Sequence, residues 1–164
     1  MTNEEMLTDL IVSANQSYLE QHNVTLARKD LTFSGPTAGE FENGNNTMIR
    51  VTAHAKDVEG SYDYHYKRLD MQQAFTDLGV GQVSVDVKEI IGAGVLNALR
   101  RKYNFILYAS EVETFIIDEN VCTITVVGNC LVWIGTLTVY LVEQELEELS
   151  VAFPNNILNG LDRS

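Results

Sequence analysis

His54, Asp63 and His65 are the side chains whose types and closeness along the sequence come nearest to a metal site. Imidazole nitrogens and a carboxylate suit a divalent transition ion, and alternation along two adjoining extended segments would bring both histidines to one polar face beside the aspartate. A third strong ligand at a fitting spacing is missing, so these read as solvated strand side chains and no metal is assigned. Gly79, Gly81 and Ser84 echo a glycine-rich phosphate loop. There is no lysine at the phosphate position, however, and no strand, glycine fingerprint and helix in dinucleotide-binding order. Ser13, Ser17 and Ser110 lie in no pattern that activates a hydroxyl, and the carboxylates are scattered or gathered in the run from Glu143 to Glu148. Cys122 and Cys130 stand eight residues apart on one strand or a strand and its turn, a poor geometry for a bridge, and no C-x-x-C pair is present. Both read as reduced, half-buried small hydrophobes. No catalytic, cofactor-binding or metal-binding residue is assigned, and the chain is expected not to be an enzyme.

The bulk composition narrows the partners. With 45% hydrophobic and 21% charged residues in 164, the chain has the make-up of a globular protein able to bury one core, which two half-size units could share. Its formal net charge of −12 repels phosphate backbones and anionic lipid, so neither nucleic acid nor a membrane is an expected partner. A basic protein surface suits that field. Met1 to Glu5 is acidic and the apolar residues after it are periodic, unlike a secretion signal, and no apolar run approaches the roughly 20 residues that span a bilayer. The protein is therefore expected to be made and used without crossing a membrane.

The elements that would position any contact site are read from periodicity. Thr2 and Glu5 form a capping box, and Leu7, Leu10, Ile11, Ala14 and Tyr18 form the apolar stripe of a helix ending near Asn23. Asp86 and Glu89 open a second helix with the stripe Ile90, Ile91, Val95, Ala98, Leu99 and Tyr103. Its Gly92 and Gly94 are expected to permit close packing, and Arg100, Arg101 and Lys102 complement the helix dipole at its end. Two hairpins alternate by twos, Met48 to Ala55 with Ser61 to Lys67, and Val121 to Val127 with Thr136 to Val142. Gln82 to Val85 is an extra edge strand or an extended linker.

These units repeat. Ile49, Val51, Gly60, Ser61, Tyr62, Tyr64 and Tyr66 recur 75 residues later as Ile124, Val126, Gly135, Thr136, Leu137, Val139 and Leu141. Asn23, Val24, Leu26, Asp30 and Leu31 recur 81 residues later as Asn104, Phe105, Leu107, Glu111 and Val112. The difference in offset falls in the polar stretch Ser34 to Asn46, read as a longer loop. The expected fold is α+β, two α-β-β repeats (about 1–70 and 86–142) forming one antiparallel sheet with both helices on one face, in a single domain over 1–149. Val51 and Val126 are expected at equivalent core positions, and Gly60 and Gly135 at equivalent turn exits.

Two segments read as protein contact sites. Leu131, Val132, Trp133 and Ile134 make the second hairpin's connection far more apolar than the first, marking either a surface for another subunit or a tryptophan folded back on its own core. Residues 150–164 form an unrepeated tail in which Phe153, Ile157, Leu158 and Leu161 follow or flank Pro154, too few to make a core alone, and so read as a docking arm.

The segment Asn46 to Ala53, continuing through Gly60 to Asp70, resembles the core of small virion structural proteins of large-genome, contractile-tailed bacteriophages. The likeness extends to Tyr103-Asn104-Phe105 before Glu111-Val112 and to the step Trp133-Ile134-Gly135, and covers most of residues 5–142. The loop Ser34 to Asn46 and the acidic carboxy-terminal extension depart from the pattern. The resemblance implies a non-enzymatic structural or assembly protein of the tail, baseplate or neck, assembled in the host cytoplasm, with other virion proteins and copies of itself as partners. The alternative is a receptor- or glycan-binding module of a phage tail, with Trp133, Tyr62, Tyr64 and Tyr66 as stacking residues.

Overall fold

A computed structural model describes residues 2–143. In order the chain forms α1 (Asn3–Ala14), α2 (Gln16–Gln21), a 3-10 turn (Arg28–Asp30), β1 (Leu31–Ala38), a second 3-10 turn (Glu42–Gly44), β2 (Thr47–Ala55), β3 (Val58–Tyr66), β4 (Leu69–Asp70), α3 (Met71–Asp77), β5 (Ser84–Asp86), α4 (Val87–Tyr103), a third 3-10 turn (Ala109–Glu111), β6 (Val112–Asp118), β7 (Val121–Val126), β8 (Trp133–Ile134) and β9 (Thr136–Val142). The architecture is mixed α+β.

Local chemistry starts the first helix where the sequence places it. The Glu5 amide donates to Thr2 Oγ1 at 3.2 Å, and the Thr2 amide donates to the Glu5 carboxylate at 2.6 Å. The helix then breaks at Asn15, whose side-chain amide donates to the Ile11 carbonyl at 2.8 Å. Leu7, Thr8 and Ile11 of α1 and Leu19 of α2 are buried, while the expected stripe members Leu10, Ala14 and Tyr18 are exposed. Asp86 caps α4 by accepting from the Lys88 amide at 2.8 Å. Gly94 does not serve close packing as expected: a side chain there would meet open space, and what glycine supplies is a backbone at φ 70° and ψ 166° that interrupts the helix.

The strands do not join into one antiparallel sheet. β1-β2-β3 form a three-stranded meander, β5-β9-β7-β6 a four-stranded sheet, and β4 pairs with β8 alone. Two pairings are parallel, β4 with β8 and β5 with β9, because both short strands come from the segment linking the two halves. Nor do the helices share one face. Leu7 and Ile11 of α1 pack with Leu31, Ile49 and Val51 of the first meander, while Val95, Ala98 and Leu99 of α4 pack with Ile124, Leu137 and Val139 of the other sheet. Val51 and Val126 are both buried, each in its own cluster. Gly60 and Gly135 are not equivalent turn exits. Gly60 lies inside β3 opposite Ala53, after a turn at Lys56 and Asp57, whereas Gly135 stands between β8 and β9 outside the ladder. Part of the stretch read as a loop, from Ser34 to Ala38, belongs to β1, whose pairing with β2 is irregular between Ser34 and Thr37 around Gly35 and Pro36.

Polar contacts sew the halves together. Arg68, only 5% exposed, donates to Thr47 Oγ1 at 2.9 Å and to the carbonyls of Gly128 and Cys130 at 2.9 and 3.0 Å. The Tyr66 hydroxyl donates to the Leu131 carbonyl at 2.9 Å, and the Leu69 amide to the Val132 carbonyl at 2.9 Å. From the amino-terminal side, Asn3 donates its side-chain amide to the carboxylate of Glu111.

Candidate protein-contact site

The residues that build an open apolar surface follow the end of α4. Asn104 takes left-handed backbone (φ 54°, ψ 27°), which asparagine tolerates better than most residues, and this ends the helix. The extended residues after it alternate: Phe105 and Leu107 turn inward and are buried, Ile106 and Tyr108 turn outward and are exposed. Glu111 closes the segment by accepting from the Tyr108 amide at 2.9 Å. The first half carries the same devices, with left-handed Asn23 and an Asp30 carboxylate accepting from the Ala27 amide at 2.9 Å.

Two hollows flank the outward side chains. One, of about 440 Å³, lies between the start of α1, α3 and residues 103–108, with Met6, Leu78, Phe105 and Trp133 in its lining. The other, of about 430 Å³, runs from Val95 and Leu96 of α4 to Phe115 of β6. Arg100, Ile106 and Tyr108 line both, so the two hollows adjoin along these side chains and together make up an apolar trough lined by one cationic group. Beyond it lies an open edge. β6 is an edge strand of the four-stranded sheet, and Phe115, Ile116 and Ile117 are 44%, 58% and 51% exposed along it. Alternation means that both faces of this strand present apolar side chains to solvent.

The connection Leu131 to Ile134 is not an exposed tip. All four residues are half-buried: Leu131 packs against the first core, and Trp133 and Ile134 form β8 beside Leu69 and Asp70. Trp133 lies tilted on Phe105 with ring centroids 4.7 Å apart, and its indole N–H donates to the Ile106 carbonyl at 3.1 Å. Of the two sequence readings, the tryptophan has folded back on its own core, while its remaining surface lines the trough. Phe153, Ile157, Leu158 and Leu161 lie outside the described residues.

The polar constellations have other occupations. Asp63 pairs with Arg50 at 2.7 and 2.9 Å, and that hydrogen bond holds its carboxyl below the usual range. His65 stacks on Phe41 with centroids 4.2 Å apart, and His54 stands opposite Glu59. Among the described residues no group of three or more His, Cys, Asp and Glu could hold a metal. Burial pushes the Cys122 thiol up to about 11 and raises that of Cys130, which donates to the Glu111 carboxylate at 3.4 Å. Both cysteines are free. In the tyrosine row only Tyr62 is freely displayed, at 70% exposure, because Tyr64 and Tyr66 pack against the first core. No described helix is long and apolar enough to cross a membrane.

The feature that stands out among the described side chains is exposed apolar surface. Residues 1–163 match the family described as "Family of unknown function (DUF7941)". The chain belongs to that family. No curated protein and no solved structure matches it.

Met6, Leu78, Ile106, Tyr108 and the edge strand are not among the candidate residues that stand out in the sequence. Ile106 and Tyr108 had a signal in the alternation Phe105 to Tyr108, and β6 had one in the apolar run from Phe115 to Ile117.

Proposed function

We propose that this chain is a non-enzymatic structural or assembly protein of a bacteriophage particle, in the tail, baseplate or neck, acting through contacts with other virion proteins and with copies of itself. The observation that carries the reading is the open edge strand β6 with Phe115, Ile116 and Ile117 exposed beside an apolar trough. An unpaired edge with apolar residues on both faces offers hydrogen-bonding groups and buriable area together, and assembly proteins use both. The sequence resemblance supplies the particle. On this reading the protein is assembled in the host cytoplasm and resides in the virion, and residues 150–164 serve as a docking tail. The paired left-handed asparagines and acid-closed turns support an origin by duplication of one unit, helix, capped turn and three-stranded meander. In both halves the strands stand side by side in chain order, β1-β2-β3 and β6-β7-β9.

The glycan-binding alternative has less support, since two of its three row tyrosines are partly covered and one side of Trp133 is taken up by Phe105. Mass spectrometry of purified particles from a phage that encodes the chain should recover it at a fixed copy number. Sedimentation should show Ile116→Lys to lower the association of the isolated protein. Absence from particles, or retention on a glycan array by a protein that stays monomeric, would overturn the proposal.

A further inference from the structure

The apolar face of the four-stranded sheet runs past the cover that α4 gives it. Phe115 and Ile117 of β6 stand opposite Ile124 and Cys122 of β7, so their side chains share the face on which Val95, Ala98 and Leu99 of α4 pack. Both nevertheless stay about half exposed. Ile116 points to the other face, opposite Thr123. The backbone of the edge follows from its neighbours. The Val127 amide donates to the Glu111 carbonyl at 2.8 Å, on the β6 side, and the Val126 amide to the Gly135 carbonyl at 3.4 Å, on the β9 side. Because successive residues of a strand turn their amides to opposite sides, Thr125, Thr123 and Val121 bond to β6 at Thr114, Ile116 and Asp118. Phe115 and Ile117 therefore aim N–H and C=O out of the sheet, and among the described residues no strand lies there.

We infer that this edge is closed by β6 of a second copy, the two strands running antiparallel across a two-fold axis at Ile116. The inference rests on reading the chain as an assembly protein and names the partner of that surface. An antiparallel neighbour must present its free N–H and C=O groups on every second residue and apolar side chains on both faces. β6 is itself such a strand. With Ile116 opposite its own copy, Phe115 of each chain faces Ile117 of the other, every outward N–H of these residues meets a carbonyl, and three apolar side chains meet three. Moving the axis to Phe115 sets Glu113 against Ile117, and moving it to Ile117 sets Glu119 against Phe115, so the side chains select the central register. The axis stands normal to the sheet. Two four-stranded sheets thereby become one with both α4 helices on the same face, and the partner's Ile117 arrives beside Phe115, at the hollow of about 430 Å³ that Phe115 lines with Val95 and Leu96. The first meander's edges are guarded, since β1 carries Pro36 and an irregular pairing and β3 sets Glu59, Gly60 and Asp63 along its length.

A contact of this size makes a dissociable pair, so the test follows the full chain over a wide range of concentration. Sedimentation equilibrium in about 0.3 M salt, which screens the acidic surfaces, should show monomers passing to dimers as concentration rises. Ile116→Lys should weaken the pairing by about tenfold or more, with the circular dichroism unchanged because Ile116 is exposed on the sheet's outer face. Ile116→Cys chains should oxidise to a covalent dimer, since the axis sets their Cα atoms about 4.5 Å apart in a non-hydrogen-bonded antiparallel pair. Thr114→Cys chains should not, because its two copies lie about 14 Å apart along the strands. The parent protein, with Cys122 and Cys130 buried, should not cross-link. Protein that stays monomeric at every concentration would overturn the inference. So would Thr114→Cys linking as readily as Ile116→Cys, which marks a parallel or unspecific contact, or dimers that Ile116→Lys leaves intact, which places the contact elsewhere. Absence of the chain from phage particles would refute the proposed role and leave this pairing standing, so the two can fail separately.

Discussion

Replacing Arg68 with methionine tests whether the joint between the two halves is built as described. The side chain is 5% exposed, and its guanidinium is shared among Thr47 of the first meander and the Gly128 and Cys130 carbonyls of the second half. Methionine fills much of the same volume but donates nothing, leaving three acceptors to find water or go without. Hydrogen bonds from a charged donor contribute roughly 1.5–3 kcal/mol each, but desolvating the guanidinium offsets part of this, so about 1 kcal/mol per bond is a fair net value. The expected loss is about 3 kcal/mol, or roughly 6–12 °C in Tm for a chain of this size. Urea unfolding followed by Trp133 fluorescence, which reports the second core, and by far-ultraviolet circular dichroism, which reports both, should also separate into two transitions. Arg50→Met removes an exposed pair with Asp63 and should leave the midpoint unchanged. A loss below about 1 kcal/mol for Arg68→Met, with coincident transitions, would show that apolar packing and not this hydrogen-bonded joint holds the halves together.

Trp133→Ala should cost about 2–3 kcal/mol by removing the contact with Phe105 and the indole bond to Ile106, measured as a shift in the urea midpoint followed by circular dichroism. Alkali should destabilise the fold through its buried acids: burial lifts the Cys122 thiol from 9.0 to about 11 and the Tyr66 phenol from 10.0 to about 12. Both stay protonated in either state below pH 9, so their contribution is fully present there. Above it the unfolded chain ionises first, and the thermal midpoint should fall between pH 9 and 12, less steeply in Cys122→Ser and Tyr66→Phe variants.

The capped starts of α1 and α4, the two hairpins and the buried faces of Ile49, Val51, Ile124 and Val126 are legible because each follows from neighbours in sequence. β1 was hidden by Gly35 and Pro36, which argue against a strand unless it lies at an edge, as this one does. α3 had a usable signal in Asp70 before Met71, Ala74, Phe75 and Leu78, and Asp70 does cap it by accepting from the Gln73 amide at 2.9 Å. The division into two sheets was not legible. It depends on β4 and β5 pairing in parallel with strands more than 50 residues away, and two- or three-residue strands carry no period of their own. The trough was hidden for a similar reason, since Met6, Leu78 and Ile106 come from three distant stretches of the chain that only the tertiary fold brings together.

The bare edge of β6 gives the protein's acidity a second meaning. Lysines, prolines or a covering loop usually stop such a strand from recruiting further sheets, whereas here Phe115, Ile116 and Ile117 stand open. A formal charge of −12 surrounds them, so two copies approaching edge to edge meet long-range repulsion before any backbone bond can form. The barrier is colloidal, and it weakens as salt shortens its range or as the pH falls toward the isoelectric point near 4.5. Association of free chains along this edge should therefore be held back at low salt and strengthen as salt is added, while a surface of opposite charge turns the same repulsion into attraction.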